Sequence, residues 1–275
     1  MEHPRSKSYL LTSVLAAVTA FSLAVAASAA EVKVYSNNPA PGDYFTNSVG
    51  TSNPLTPGAA IGSSGWYYNN VRNTAAVGIR TDYPRSGNGS VFFSSTTGVG
   101  KADVEYFYSA PQLLSSLDAF SYDWYRNSSS SVASHLHPTL RLIVTNGTQS
   151  GYLVFERAYN PSVTPVPTDT WVTDDVINAK FWGTGSLPGA FSVYDRNLSD
   201  WSALLGPNAV VVGISSGIGS GWNGTFEGAV DNITVGFNGV STTYNFEVIP
   251  EPAFFQMGIL ASLGGLGFLR MACRK

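Results

Sequence analysis

Cysteine is almost absent from this chain of 275 residues, in which Cys273 is the one thiol. A single cysteine excludes an internal disulfide framework, a zinc finger and a cysteine-protease arrangement. Charge is scarce too: 12% of residues are charged, and 15 Lys and Arg stand against 18 Asp and Glu. That balance excludes a nucleic-acid partner held by a basic surface and argues against a charge-rich coiled coil.

The N-terminal segment, residues 1–30, has the pattern of a secretory signal peptide. Arg5 and Lys7 precede an apolar stretch over residues 9–27, which ends in the small residues Ala27, Ser28 and Ala29. This order of positive, apolar and small residues predicts export and cleavage. The alternative is a membrane anchor that is never cut.

The C-terminal segment, residues 249–275, contains a second apolar stretch. Residues 253–269 carry no charge and, as a helix, would reach about 25 Å, the lower limit for crossing a bilayer. The stretch follows Pro250, Glu251 and Pro252 and precedes a basic tail. The tail, formed by Arg270, Arg274 and Lys275, favours the cytoplasmic side of a membrane.

This order of Pro-Glu-Pro, apolar helix and basic tail resembles the PEP-CTERM sorting signal. The resemblance implies export through the Sec pathway of a Gram-negative bacterium, a transient stay in the inner membrane, and release to the cell surface or extracellular matrix. It also implies an exosortase-type processing enzyme as a partner and an association with exopolysaccharide. A plain single-span anchor would have nearly the same topology without the processing step.

The body, residues 31–248, shows strand patterns separated by turn-forming Gly and Asn residues and no break that would divide it into two domains. Strands are predicted at residues 90–94, 102–108, 119–125, 139–145, 151–156, 209–215, 226–235 and 242–247. Short helices are predicted only near residues 111–118 and 197–205. This pattern predicts an all-β fold, a two-sheet β-sandwich of jelly-roll type. A signal helix and a transmembrane helix are expected to flank it.

The body is similar as a whole to concanavalin-like and carbohydrate-binding-module sandwiches. Residues 65–72, 85–90 and 120–126 resemble segments of other PEP-CTERM proteins, and residues 228–235 resemble the final strand of many extracellular sandwiches. These similarities carry no known catalytic residue, and a fold alone does not determine function.

Candidate catalytic or metal-binding groups are few. Asp103 and Glu105 have the spacing that places two carboxylates on one strand face, for which an exposed face is the simplest explanation. His135 and His137 would also share a face, but two nitrogens do not complete a zinc site. Asp231 is either a ligand of a structural calcium, the one cofactor that the sequence suggests, or a solvent-facing residue at a strand edge.

Aromatic residues, 13% of the chain, are the main candidates for ligand binding. Trp66 and Tyr68 follow a Gly-rich turn, while Trp182 and Trp222 lie beside glycines in predicted loops. Such rings stack on the C–H faces of sugars, although aromatic side chains also fill cores. The sequence therefore predicts a non-catalytic, exported surface or matrix protein that binds exopolysaccharide. The alternative is a glycan-acting enzyme on the same scaffold.

Overall fold

The computed structural model describes residues 29–46, 58–161 and 166–250. Nearly all of the predicted signal peptide and all of the sorting signal beyond Pro250 lie outside these residues, so both terminal helices stay predictions. Within the described ranges, no helix is long and apolar enough to cross a membrane.

Strands dominate the described chain. They are β1 (Ala30–Pro39), β2 (Phe45–Thr46), β3 (Ala59–Ala60), β4 (Trp66–Arg72), β5 (Ala75–Arg80), β6 (Ser90–Ser95), β7 (Lys101–Leu113), β8 (Leu117–Arg126), β9 (Thr139–Thr145), β10 (Ser150–Phe155), β11 (Trp171–Asp175), β12 (Lys180–Gly183), β13 (Arg196–Asn197), β14 (Val210–Ile218), β15 (Phe226–Phe237) and β16 (Val240–Ile249). All eight predicted strands are present.

The strands form two sheets of eight. In the first sheet the order is β1-β16-β15-β6-β5-β2. Two further strands extend this sheet: β8 pairs with β15, and β11 pairs with β8. In the second sheet the order is β13-β12-β10-β9-β14-β7-β4-β3. The predicted two-sheet β-sandwich is therefore confirmed.

The core lies between the sheets because alternate residues of each strand point inward. Trp66 of β4, in the second sheet, contacts Tyr244 and Phe246 of β16, in the first sheet, with ring centroids 5.1 and 5.0 Å apart. In β9, Leu140, Leu142 and Val144 join the same core. Their neighbours in sequence therefore point to the outer face of the second sheet.

The first and last strands of the sandwich are neighbours. Strand β1 pairs with β16 in parallel, with Ala30 opposite Thr242 and Tyr35 opposite Glu247. Because the strands are parallel, the chain enters the sheet at one end and leaves it at the other.

The α-helix α1 (Leu198–Leu205) matches the helix predicted near residues 197–205. It begins with a capping box, in which the Asn197 side chain accepts from the Asp200 N–H and the Asp200 side chain accepts from the Asn197 N–H. The helix predicted near residues 111–118 is reduced to a 3₁₀ turn, Leu114–Ser116, between β7 and β8. Proline at position 111 fits this result because it cannot donate to a helical ladder.

Candidate functional site

The outer face of the second sheet carries charged side chains instead of a solvent-exposed polar layer. Asp103 and Glu105 project from β7, Arg141 from β9 and Tyr152 from β10, and all four are buried. The prediction that an exposed strand face explains the Asp103–Glu105 spacing is wrong, since neither side chain is exposed. Buried charges are costly unless they are paired, so their partners decide what the face can do.

Asp103 is paired with two cations. Its Oδ1 atom lies 2.5 Å from Arg141 Nη1, and its Oδ2 atom lies 3.2 Å from Lys101 Nζ. The Asn70 side-chain amide donates a third contact to Oδ2 at 2.9 Å. Burial alone would raise the pKa of Asp103, but Arg141 and Lys101 lower it below its ordinary value. Asp103 is therefore a fixed negative charge.

Glu105, two residues further along β7, has neutral partners. Asn69 Nδ2 donates to Oε2 at 2.5 Å, and the Tyr152 hydroxyl donates to Oε1 at 2.7 Å. Burial, followed by the negative charge of Asp103, raises the pKa of Glu105 to about 7. The two carboxylates on one face thus ionise in different pH ranges.

A cleft of about 680 Å³ lies over this face. Its volume is within the range of small-molecule binding pockets in proteins. The lining combines aromatic rings, hydroxyl groups and charged side chains. The side chains that carry these groups are Arg72, Lys101, Thr139, Arg141, Ser150, Tyr152, Glu156, Trp182, Thr184, Ser186, Phe191, Ser220 and Trp222.

Trp182 and Phe191 line the cleft, and Tyr194 and Tyr159 continue this row of aromatic rings beyond the lining residues. Trp182 lies 5.8 Å from Phe191 and 6.0 Å from Tyr194, and Tyr194 stacks on Tyr159 at 4.3 Å, all between ring centroids. Phe191 is 62% exposed and has a φ of 59°, a left-handed conformation that is strained for a bulky residue. The fold therefore holds an apolar ring in water at the mouth of the cleft.

The loop that carries Phe191 is fastened to β10. Thr184 N–H donates to the Tyr152 carbonyl, and the Thr184 hydroxyl accepts from the Tyr152 N–H, both at 2.9 Å. Gly151 permits this approach, since a Cβ there would lie 2.2 Å from the Thr184 carbonyl oxygen. The aromatic rim and the floor of the cleft are therefore joined through backbone contacts.

The structure moves Trp66 and Tyr68 out of the candidate ligand-binding set. Both side chains are 0% exposed. The Tyr68 hydroxyl donates to Asp43 Oδ2 at 2.8 Å and accepts from the Ile79 N–H at 2.9 Å. These rings hold the two sheets together and present no face to a ligand.

The two tryptophans predicted in loops have different positions. Trp182 lies in strand β12, half-buried, and faces the cleft. Trp222 lies in a loop but is only 8% exposed, because its ring packs edge-on against Phe226 at 5.1 Å. Trp182 is therefore the better stacking surface, and Trp222 closes one end of the cleft from the core side.

Asp231, the predicted calcium ligand, is neither solvent-facing nor part of a metal cluster. Its carboxylate accepts from the backbone N–H groups of Asn232 at 2.8 Å, Phe246 at 2.9 Å and Ser86 at 3.2 Å. In the part of the chain that the structure describes, no three His, Cys, Asp or Glu side chains are grouped to hold a metal. Burial raises the pKa of Asp231 to about 7, although the three N–H bonds oppose the shift. Its observed role is to join loop and strand backbones.

The histidine pair does not share a strand face. His137 is buried against Trp124, with ring centroids 4.5 Å apart, whereas His135 is exposed in a turn before β9. Burial lowers the pKa of His137 to about 3 and keeps the ring neutral. The two rings are therefore not placed to share a metal ion.

Sequence reasoning missed the cationic half of the cleft, formed by Arg72, Lys101 and Arg141. One signal was available. Arg141 is the single charge in the strand of residues 139–145, whose adjacent apolar residues Ile143 and Val144 break strict alternation and favour burial on both faces. A charge in such a strand requires a partner of opposite sign, and the Asp103–Glu105 pair offered one.

Comparison with known proteins gives fold-level similarity only. No protein-family model matches the chain, and no curated protein sequence matches it. One similar solved structure is a family 11 carbohydrate-binding module of a cellulosomal cellulase of Clostridium thermocellum. The two chains have 14% identity and a TM-score of 0.38, and the match covers 70% of this chain and 93% of that module.

Two further solved structures are similar at the same level. One is a family 11 module of C. thermocellum in complex with a β-1,3-1,4-mixed-linked tetrasaccharide, with 14% identity, a TM-score of 0.36, and coverage of 68% and 93%. The other is from the carbohydrate-binding modules of the β-sandwich superfamily, which are described as promiscuous in their specificity. It has 14% identity and a TM-score of 0.35, and the match covers 63% of this chain and 57% of that one. Because these TM-scores are low, the similarities support no conclusion about function, which must be argued from the geometry of the cleft.

Proposed function

We propose that this chain is an exported, non-catalytic surface or matrix protein whose sandwich binds polysaccharide in the cleft of the second sheet. The observation that carries the proposal is Trp182, half-buried in the cleft wall beside the exposed ring of Phe191. A flat aromatic surface next to hydroxyl and charged groups matches the two faces of a sugar, one of C–H groups and one of hydroxyls.

Retention of the full-length chain, purified in mild detergent, on a panel of immobilised polysaccharides tests this function. We expect Trp182→Ala to reduce retention about fivefold, the equivalent of one lost ring contact. Tyr35→Ala is the matched control, because Tyr35 is an exposed aromatic residue on the first sheet. If no polysaccharide retains the wild type, or if the two variants behave alike, the proposal fails.

The proposal includes sorting by the C-terminal segment, which rests on the sequence pattern alone. Pro250 is the last described residue; it is exposed and directly follows β16. In the sequence, the two prolines beside Glu251 favour an extended junction, because proline lacks an N–H and restricts the residue before it. We expect such a junction to be accessible to a processing enzyme.

Intact-mass analysis of protein isolated from the native host tests the sorting step. We expect the mature chains to begin near residue 30 and to end before the basic tail of Arg270, Arg274 and Lys275. Mature chains that still end at Lys275 would reduce the segment to an ordinary anchor.

One observation favours the alternative of a glycan-acting enzyme. Asp103 and Glu105 are carboxylates of different pKa on one face, the arrangement that divides acid and base roles in glycosidases. Both side chains are, however, fully buried beneath the cleft and occupied by the donors described above. A bound sugar would not reach them without displacing those donors.

A reducing-sugar assay on each retained polysaccharide separates the two functions. The non-catalytic protein should release no sugar above the background of a heat-inactivated sample. Release that Glu105→Gln abolishes, with binding preserved, would establish the enzyme.

A further inference from the structure

We infer that the cleft selects acidic polysaccharides, whose carboxylate or sulfate groups bind at a cationic cluster formed by Arg72, Lys101 and Arg141. This inference rests on the proposed function and specifies the class of ligand for the same cleft. The three cations line the cleft together, and Glu156 is the one carboxylate among the described lining residues. Burial raises the pKa of Glu156, and the positive charge of Arg141 opposes that shift.

The positions of Arg72 and Lys101 bring two positive charges close together, which does not favour folding. They are directly opposite each other on the neighbouring strands β4 and β7, and both line the cleft. Like charges in such a cross-strand pair are destabilising. A bound anion would relieve the repulsion, so this arrangement favours a ligand that supplies negative charge.

The carboxylate beneath the cluster does not neutralise it. Asp103 is shared by Lys101 at 3.2 Å and Arg141 at 2.5 Å, so one negative charge serves two positive charges. Among the described residues, Arg72 has no carboxylate within ion-pair distance, and its side chain is exposed. One cation of the cluster is therefore available to a ligand.

The rest of the body makes the cluster unusual. Residues 31–249 contain 16 Asp and Glu against 10 Lys and Arg, a net charge near −6. Each ion pair among the described residues outside the cleft joins one carboxylate to one cation, as in Lys33–Glu247 at 3.4 Å and Arg80–Asp82 at 2.6 Å. Three of the body's ten cations line this one cleft, so an acidic chain would be attracted here and repelled by most of the remaining surface.

The expected binding mode uses both parts of the cleft. One sugar residue of the polymer stacks on Trp182 of β12, while an acidic substituent further along the polymer meets Arg72 of β4, five places away in the strand order of the sheet. The planar guanidinium of Arg72 binds a carboxylate or a sulfate through paired N–H groups. Ring stacking does not distinguish neutral from acidic sugars, so the selectivity lies at the cationic cluster.

Matched pairs of polysaccharides test the inference with the full-length chain in mild detergent. The pairs are polygalacturonate and its methyl ester, hyaluronan and its methyl ester, heparin and its desulfated form, and dextran sulfate and dextran. A neutral mixed-linkage β-glucan is added as a further neutral probe. We expect the acidic member of at least one pair to be retained more strongly than its neutral partner, and the uronate and sulfate pairs show which anion is preferred.

Two variants locate the effect. We expect Arg72→Gln to weaken binding of the acidic member about fivefold, so that the preference for the acidic over the neutral member of a pair falls. Lys33→Gln removes the same charge from the first sheet and should have no such effect. Equal losses in the two variants would mean that net charge alone is responsible and would overturn the inference.

The outcomes distinguish the inference from the function beneath it. Retention of neutral polysaccharides as strong as that of their acidic partners overturns the inference and leaves polysaccharide binding intact. Retention of none of the probes overturns both.

Discussion

The outer faces of the two sheets both bury carboxylates, yet they stabilise them differently. On the first sheet, Asp231 and Glu247 accept from backbone N–H groups of Ser86 and Asn88, in the loop of residues 81–89, and Glu247 also pairs with the exposed Lys33 at 3.4 Å. On the second sheet, Asp103 is paired with the side chains of Lys101 and Arg141 beneath an open cleft.

The difference separates a structural face from a binding face. Backbone donors are fixed by the fold and bring no cation that could bind a ligand. Cationic side chains carry net charge, and where cations outnumber carboxylates, the surplus can act on a ligand. The same residue type, a buried carboxylate, therefore closes one face and helps to organise a site on the other.

The largest expected effect is a difference in stability between two variants, each of which lacks one cationic side chain on one of the two faces. Arg141→Met leaves Asp103 buried with Lys101 as its only cation, and we expect a loss of about 3 kcal/mol in the free energy of unfolding. Arg85→Met on the first sheet removes a half-exposed partner of Asp123 and should cost less than about 1 kcal/mol. Urea denaturation of both variants measures the difference, and equal losses would remove the distinction between the faces.

The next effect is a pH dependence. The pKa of Glu105 rises from an ordinary value of 4.5 to about 7 in the folded protein, so the folded state holds this proton more tightly than the unfolded state. Its contribution to stability is complete below about pH 4.5 and is lost as the pH rises through 7. Glu105→Gln does not titrate, so we expect its stability relative to wild type to rise by about 1 to 3 kcal/mol between these pH values.

Comparison with wild type at each pH is essential for that measurement. The lowered pKa of His137 gives a slope of opposite sign, since protonation of the unfolded state destabilises the fold as the pH falls below 6.5. His137 is present in both proteins and cancels in the difference. A difference that is flat from pH 4 to 8 would contradict the assigned titration.

A smaller effect concerns the strained rim of the cleft. Phe191→Asn places a residue that tolerates left-handed φ at this position, and we expect the folded protein to gain about 0.5 to 1 kcal/mol. The same change removes an exposed ring, so polysaccharide retention should fall while the thermal midpoint rises. A variant that loses both stability and retention would show that the ring supports the fold and not the site.

The smallest expected effect is that of calcium. Because backbone donors occupy the Asp231 carboxylate, we expect the thermal midpoint in millimolar calcium to equal that in a chelator. If calcium raises the thermal midpoint by several degrees and Asp231→Asn abolishes that rise, Asp231 is a calcium ligand, as the sequence predicted. The first face would then also be a binding face.

Strands were the part of the fold that local pattern could predict. The segment at residues 139–145 agrees with β9 to the residue because its apolar residues and flanking turns are local signals. The eight strands that were not predicted include the long β1 and β4 as well as the short β12 and β13. The pairing partners of β12 and β13, and not their own sequences, place them in the sheet. For that reason, Trp182 was predicted to lie in a loop, whereas it lies in strand β12.

The charged half of the site could not be predicted from spacing alone. Arg72 and Lys101 meet through a register that brings together residues 29 positions apart, with an irregularity between Asn69 and Arg72. Burial of Trp66 and Tyr68 also depends on the opposite sheet, which a local pattern does not contain. Long-range pairing therefore decided which candidate residues face the cleft and which fill the core.

The parallel pairing of β1 with β16 has a mechanical consequence. A tension applied to the two ends of the described chain acts along this ladder, in opposite directions on its two strands. The ladder is then sheared, and its hydrogen bonds share the load at the same time, whereas a hairpin pulled from its open end releases them one after another. A protein that is tethered at one end while its cleft holds a polymer would be loaded in part through this parallel pair, in which the hydrogen bonds resist together.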